Sequence, residues 1–227
     1  MRPVVLLHGF ASSYDHNWRR TGWVDLLADM GRPVIPVDLL GHGTAPAPTD
    51  PAAYQRVGDL VLAALPADGP VDAVGFSAGA GILLRLAATH RTRFARLAVL
   101  GAGDNLLEPD EGEGQALADA LDGAGVDSDD IRVALFLRLA RSAGNDPAAL
   151  AAFLRRPQQP LDPADLARVA APVLVVVGDA DHLVPGAQRL LHALPQAQLV
   201  TLHGVDHFAT PGDFGAIEAV LRFLDQP

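Results

Sequence analysis

Cysteine and lysine are both missing from this 227-residue chain. Without cysteine there can be no disulfide, no thiolate nucleophile and no zinc–thiolate centre. Without lysine there is no Schiff-base chemistry, no pyridoxal attachment and no phosphate-binding P-loop. All seventeen basic residues are therefore arginine, set against 27 acidic ones, and the net charge of −10 argues against nucleic acid or an anionic membrane as partner. Long apolar runs are also lacking: none approaches the ~20 residues that span a bilayer. Met1-Arg2-Pro3 leads directly into the apolar run Val4 to Leu7, without the pattern of a secretory signal. The expected location is the cytoplasm, and the expected partner is a small molecule, with no cofactor and no metal.

What is present is a globular composition. Apolar residues make up 49% of the chain, enough for one domain with a full core, or one domain carrying a modest insertion. Short β-branched runs alternate with longer helical stretches, the signature of βαβ units and a parallel sheet. Strands are expected at Val4–Leu7, Pro33–Val37, Val71–Val74, Leu97–Leu100, Val173–Val177 and Gln198–Leu202. They read as continuous apolar runs, so helices should cover both faces of the sheet. Helices are expected at Trp23–Met30, Tyr54–Leu65, Ala78–Ala88, Gly186–Leu194 and Phe214–Leu224.

The rhythm breaks once. About seventy residues separate Leu100 from Val173, where a βα unit needs roughly thirty. An acidic, glycine-rich stretch from Asp104 to Gly114 opens this insert; its run Glu108–Glu113 lacks the alternating ligand spacing of a calcium site and reads as a solvated loop. Helical segments follow near Gln115–Leu121, Asp129–Ser142 and Pro147–Arg155, with Pro163–Val169 as the crossover helix into the next strand. Ile131 to Leu139 is apolar around most of its circumference, which suits either a helix buried among helices or a lid over an apolar pocket.

Ser77 carries the main chemical signal. It stands in Gly75-Phe76-Ser77-Ala78-Gly79, after a strand and before an Ala/Leu-rich helix. A serine on such a turn is held in strained backbone geometry with its hydroxyl above the sheet, and the flanking glycines omit β-carbons that would collide. The helix aims its first amides at the same spot. A serine hydroxyl still needs a base, an orienting acid and a place for an oxyanion. His207 follows the last strand, Asp181 and Asp179 follow Val173–Val177, and His8-Gly9-Phe10 follows the first strand. All lie at the carboxyl ends of parallel strands, the edge where open α/β sheets place their active sites.

These motifs together resemble the α/β-hydrolase fold, with triad residues in the order Ser, Asp, His. The resemblance implies a doubly wound, mainly parallel sheet of about six strands, lacking the family's first two antiparallel strands. It implies an α/β core at residues 1–103 and 161–227, with a helical cap inserted at 104–160. Asp38-Leu39-Leu40-Gly41-His42-Gly43-Thr44 resembles the family's Asp-x-x-Gly-x-Gly loop. Carried over by residue, Ser77 is nucleophile, His207 general base and Asp181, favoured over Asp179, its orienter. The amides of Phe10 and Ala78 form the oxyanion hole. Phe76, Leu135, Phe136 and Leu183 are the expected pocket residues. His8 and His42 are expected to hold loops, Asp206 to be structural, and Trp18 and Trp23 to pack in the core. The implied activity is hydrolysis of small to medium apolar carboxylic esters through an acyl-enzyme. Thioesters, lactones, amides and carbon–carbon bonds share that intermediate. A serine there excludes the aspartate-dependent dehalogenases and epoxide hydrolases, whereas a lyase using the same triad stays open. A ligand-binding protein with a residual triad is the alternative of another class.

Overall fold

The computed structural model describes residues 1–109, 111–123, 130–157 and 159–226. In chain order the elements are β1 (Val4–Leu7), α1 (Trp23–Asp29), β2 (Val34–Val37), α2 (Gly58–Ala64), β3 (Val71–Phe76), α3 (Ala78–Thr89) and β4 (Phe94–Leu100). The insert supplies α4 (Glu111–Leu121), α5 (Ile131–Ser142), α6 (Pro147–Leu154) and the short α7 (Pro163–Leu166). The chain then returns through β5 (Val173–Gly178), α8 (Gln188–Ala193), β6 (Ala197–Leu202) and α9 (Phe214–Leu224).

The six strands form one sheet in the order β2-β1-β3-β4-β5-β6, and every pairing is parallel. β1, β3 and β5 are buried along their whole length. Two apolar layers sandwich them. One joins α3 and α8 to the face carrying Val5, Ala73, Val99 and Val175; the other joins α1 and α9 to the face carrying Leu6, Val74, Ala98 and Val176. Trp18 and Trp23 are fully buried in the second layer, edge to face at 5.3 Å, and Trp23 donates its ring N–H to Pro211 O at 2.7 Å. The edge strands depart from the expected cover. β2 carries Pro36 exposed in its middle, and Gln198, Leu199 and Thr201 of β6 are exposed.

Three Asp-Pro pairs start helical turns: Asp50-Pro51, Asp146-Pro147 and Asp162-Pro163. Each aspartate accepts an N–H from two residues on, while the proline occupies the first helical position, where no N–H is needed. The expected helix Tyr54–Leu65 is split in two. Pro51–Tyr54 forms a 3₁₀ turn, and α2 begins only at Gly58. A Cβ there would come within 2.8 Å of Leu86 Cδ2, so the glycine admits α3 close by. The acidic run is likewise not a loop to its end: α4 begins at Glu111, and Asp110 lies outside the described residues. Asp130 caps α5 by accepting from Arg132 N–H; the proposed start at Asp129 lies outside the described residues.

The insert packs over the carboxyl ends of the strands. Leu117 and Leu121 of α4, Ala140 of α5 and Leu150 and Phe153 of α6 share a third apolar cluster with Phe10 and Tyr54. Among described α5 residues only Ala140 is buried, and Ile131 is 72% exposed. That helix is therefore half-buried: Val133, Phe136, Leu137 and Leu139 pack on the third cluster, while Ile131, Ala134 and Arg138 are exposed.

Candidate active site

β3 ends at Phe76 and α3 begins at Ala78, so Ser77 alone makes the turn. Its φ of 51° is one of only two positive values at non-glycine positions among the described residues. Such conformations cost on the order of 1–3 kcal/mol and persist where surroundings enforce them. Gly75 and Gly79 allow the turn. A Cβ at Gly79 would stand 2.5 Å from Leu7 O and 2.6 Å from His8 O; one at Gly75 would stand 2.9 Å from Ala80 N. Ser77 does not cap α3 with its side chain. Its Oγ lies 3.0 Å from His207 Nε2 instead.

His207 Nδ1–H donates to Asp181 Oδ2 at 2.8 Å. This fixes the neutral tautomer, leaving Nε2 to accept the Ser77 hydroxyl proton. Both His207 and Asp181 are 5% exposed, so the pair is shielded from water. The other Asp181 oxygen accepts Leu183 N–H at 2.9 Å, which anchors the carboxylate within its loop. Asp179 faces elsewhere: it accepts Gly204 N–H at 2.6 Å and pairs with His203 at 2.7 Å. Those contacts, the backbone one first, hold its carboxyl below the ordinary range. Asp206 accepts Ala209 N–H at 2.9 Å and turns away from His207.

The amides of Phe10 and Ala78 donate to no acceptor among the described residues. His8 fixes the loop that holds the first of them. Its Nδ1–H donates to Gly9 O at 2.8 Å, and its Nε2 accepts Leu39 N–H at 3.0 Å. The peptide is planar and trans, so with Gly9 O turned to His8 the Phe10 N–H points the opposite way. Burial pushes the His8 imidazole below its ordinary value, against the opposing pull of the Gly9 bond and Asp38, and keeps Nε2 free to accept. His42 beside it is pushed down to about 3, first by burial and then by His8. Asn17 completes the support by accepting Gly9 N–H at 2.9 Å. It sits in a five-residue π-helical turn, Asp15–Arg19, which nothing in the residue pattern announced.

Above this constellation lies a cavity of about 900 Å³ with Ser77 and His207 on its wall. Phe10, Phe136 and Leu183 are part of the lining, as are Leu117, Val133 and Leu154. Phe136 bridges the two sides, with ring centroids 5.7 Å from Phe10 and 5.1 Å from Phe208. Two of the expected pocket residues are not in the lining. Phe76 is 5% exposed and lies beneath His207, ring centroids 4.9 Å apart, where it supports the imidazole. Leu135 sits on α5 one residue before Phe136, and a rotation of about 100° per residue turns it off the cavity face. Charged residues missed in the sequence also line it: Arg132 bonds Asp130 and Glu113, Arg189 bonds Glu108, and Asp104 accepts Leu190 N–H.

A sequence search of curated proteins returns no match. Among solved structures, a serine hydrolase involved in carbazole degradation is 25% identical, with a TM-score of 0.74 over 99% of this chain and 91% of that one. A thermophilic esterase from Thermogutta terrifontis is 22% identical, with a TM-score of 0.73 over 99% and 89% of the two chains. The enol-lactonase from Burkholderia xenovorans is 20% identical, with a TM-score of 0.71 over 100% and 92%. Residues 4–216 match the family model described as alpha/beta hydrolase. With nearly the whole chain inside that match, and a six-stranded parallel sheet to carry it, the protein belongs to the alpha/beta hydrolase family.

Proposed function

We propose that this protein is a cofactor-free serine hydrolase that cleaves carboxylic esters of small to medium, mainly apolar substrates through an acyl-enzyme. The observation that carries this reading is the unbroken line Ser77 Oγ, His207, Asp181, at 3.0 and 2.8 Å, on the wall of a cavity whose lining includes Phe10, Leu117, Val133, Phe136 and Leu183. Ser77 Oγ adds to the ester carbonyl as its proton passes to His207 Nε2, and the former carbonyl oxygen becomes an oxyanion between the Phe10 and Ala78 amides. Collapse of that intermediate expels the alcohol, which takes the proton from His207. Water, deprotonated by His207, then attacks the acyl-enzyme and releases the acid and Ser77. Asp181 holds the tautomer and stabilises the imidazolium while it exists. Residues 104–160 act as a cap over the core of residues 1–103 and 161–227, with α5 as the lid of the acyl pocket. The likeness to one structural neighbour, the enol-lactonase, supports a cyclic ester as the second class to try, because ring opening uses the same acyl intermediate.

The test is a series of chromogenic esters of increasing acyl length, run with thioesters and lactones on the purified protein and on Ser77→Ala. We expect ester turnover by the wild type, labelling at Ser77 by an organophosphonate, and a loss on the order of 10⁴ or more in kcat in the variant. Tight binding of an ester without turnover would make the protein a binder and defeat the reading.

A further inference from the structure

The oxyanion loop is strained and does not hold itself. Ser12 N–H bonds back to Gly9 O at 3.3 Å, closing a four-residue turn with Phe10 and Ala11 at its centre. Ala11, the third residue of that turn, has φ +61°, a conformation that favours glycine. What grips this half of the turn comes from the insert. Asn145 Nδ2 donates to Ala11 O at 2.9 Å and to Ser12 O at 3.0 Å. Its Oδ1 accepts Gly43 N–H at 2.8 Å, tying in the loop that follows β2. Every one of its side-chain hydrogen bonds therefore crosses from the insert to the core.

Asn145 is built to be rigid. Its own N–H bonds Ala140 O at 3.0 Å, locking it to the last turn of α5, while Gly144 closes that turn at φ +72°. The next residue, Asp146, caps α6. The side chain is thus clamped between two helix ends, and the residue is 8% exposed. A buried amide with its donors and acceptor all used orients its partners far better than a solvated one.

We propose that Asn145 is a positioning residue of the reaction: by holding the Ala11 and Ser12 carbonyls it keeps the Phe10 N–H aimed at the oxyanion, so the cap completes the hole as well as covering the pocket. The inference rests on the reading of Ser77 as nucleophile. Asn145 touches no reacting atom, and its removal frees the strained turn to relax and moves the Phe10 amide away from its acceptor.

The experiment compares two ligands of one shape. A trifluoromethyl ketone accepts Ser77 Oγ at its carbonyl carbon, passes the serine proton to His207 and places an oxyanion in the hole. The corresponding secondary alcohol occupies the same pocket without forming one. Two variants are made: Asn145→Ala removes the whole clamp, while Asn145→Asp keeps the acceptor for Gly43 N–H and replaces the donor to the oxyanion loop with a carboxylate oxygen that repels the Ala11 and Ser12 carbonyls. The expected result is a loss of about 10–100-fold in both kcat and trifluoromethyl ketone affinity in each folded variant, as for a weakened oxyanion donor. KM and alcohol affinity should stay within about threefold. Equal losses for ketone and alcohol would show a general distortion of the pocket and overturn the proposal, as would ketone affinity held within threefold in either folded variant. A wild type that binds the ketone no more tightly than the alcohol would remove the oxyanion hole, and with it both this role and the reading of Ser77.

Discussion

At the scale of single residues, the two aspartates after β5 are the sharpest case. They lie two positions apart, yet one is 2.8 Å from the inner nitrogen of His207 and the other is spent on Gly204 and the exposed His203. Asp181→Asn should therefore cost on the order of 10³–10⁴ in kcat, because an amide holds the wrong imidazole tautomer. Asp179→Asn should cost less than about tenfold, through a looser loop. Steady-state kinetics on both variants, with folding checked by circular dichroism, ranks them; the reverse order would move the acid to Asp179. The residues of this line were legible because each stands at a strand end in a turn with its own composition, and the order Ser, Asp, His is a pattern of letters. Asn17 and Asn145 were not legible. Gly144-Asn145-Asp146-Pro147 announces a helix stop and a helix start, but nothing in those four letters says that the asparagine reaches back to residues 11, 12 and 43.

Elements meet the site through two contacts that can be changed one at a time. The first is α3 against β1. An added methyl at Gly79 would press on two backbone oxygens, which cannot rotate away as a side chain does. Gly79→Ala is expected to lower stability by about 1–3 kcal/mol, and the melting temperature by roughly 2–12 °C, on a thermal scan. The second is α5 over the cavity. Phe136 closes the space between Phe10 and Phe208, and Phe136→Ala should open it. In the ester series we expect the preferred acyl chain to lengthen and KM for the shortest esters to rise about 3–10-fold. Unchanged chain-length preference would place the acyl group elsewhere. The strands and the αβ alternation were readable because buried parallel strands are runs of Val, Leu and Ala. The direction in which α5 presents its side chains was not, since a helix apolar on most sides carries no signal for which side faces a ligand.

For the molecule as a whole, the buried histidines set how stability depends on pH. His42 is held at about 3 by burial, whereas an exposed imidazole titrates at about 6.5. The folded value lies below the unfolded one. Between about pH 6.5 and 3 the unfolded chain binds a proton that the native chain refuses, so this contribution is complete above that window and is lost as pH falls through it. His8 is displaced in the same direction, again by burial first. Urea midpoints should thus fall on going from about pH 7.5 to pH 5, and His42→Gln should flatten the decline by up to one proton. An equal slope in the variant would mean that His42 is not buried neutral. At this scale the six-stranded parallel sheet was legible from the spacing of the strands, while the loop network joining His8, Asp38 and His42 depends on contacts no single segment encodes. Pro36 stands exposed in the middle of β2, where it supplies no N–H, while β6 presents Gln198, Leu199 and Thr201 with no such interruption. The two borders are unequal templates: growth of an intermolecular sheet is blocked along one margin and open along the other, where a single charge at Leu199 would close it.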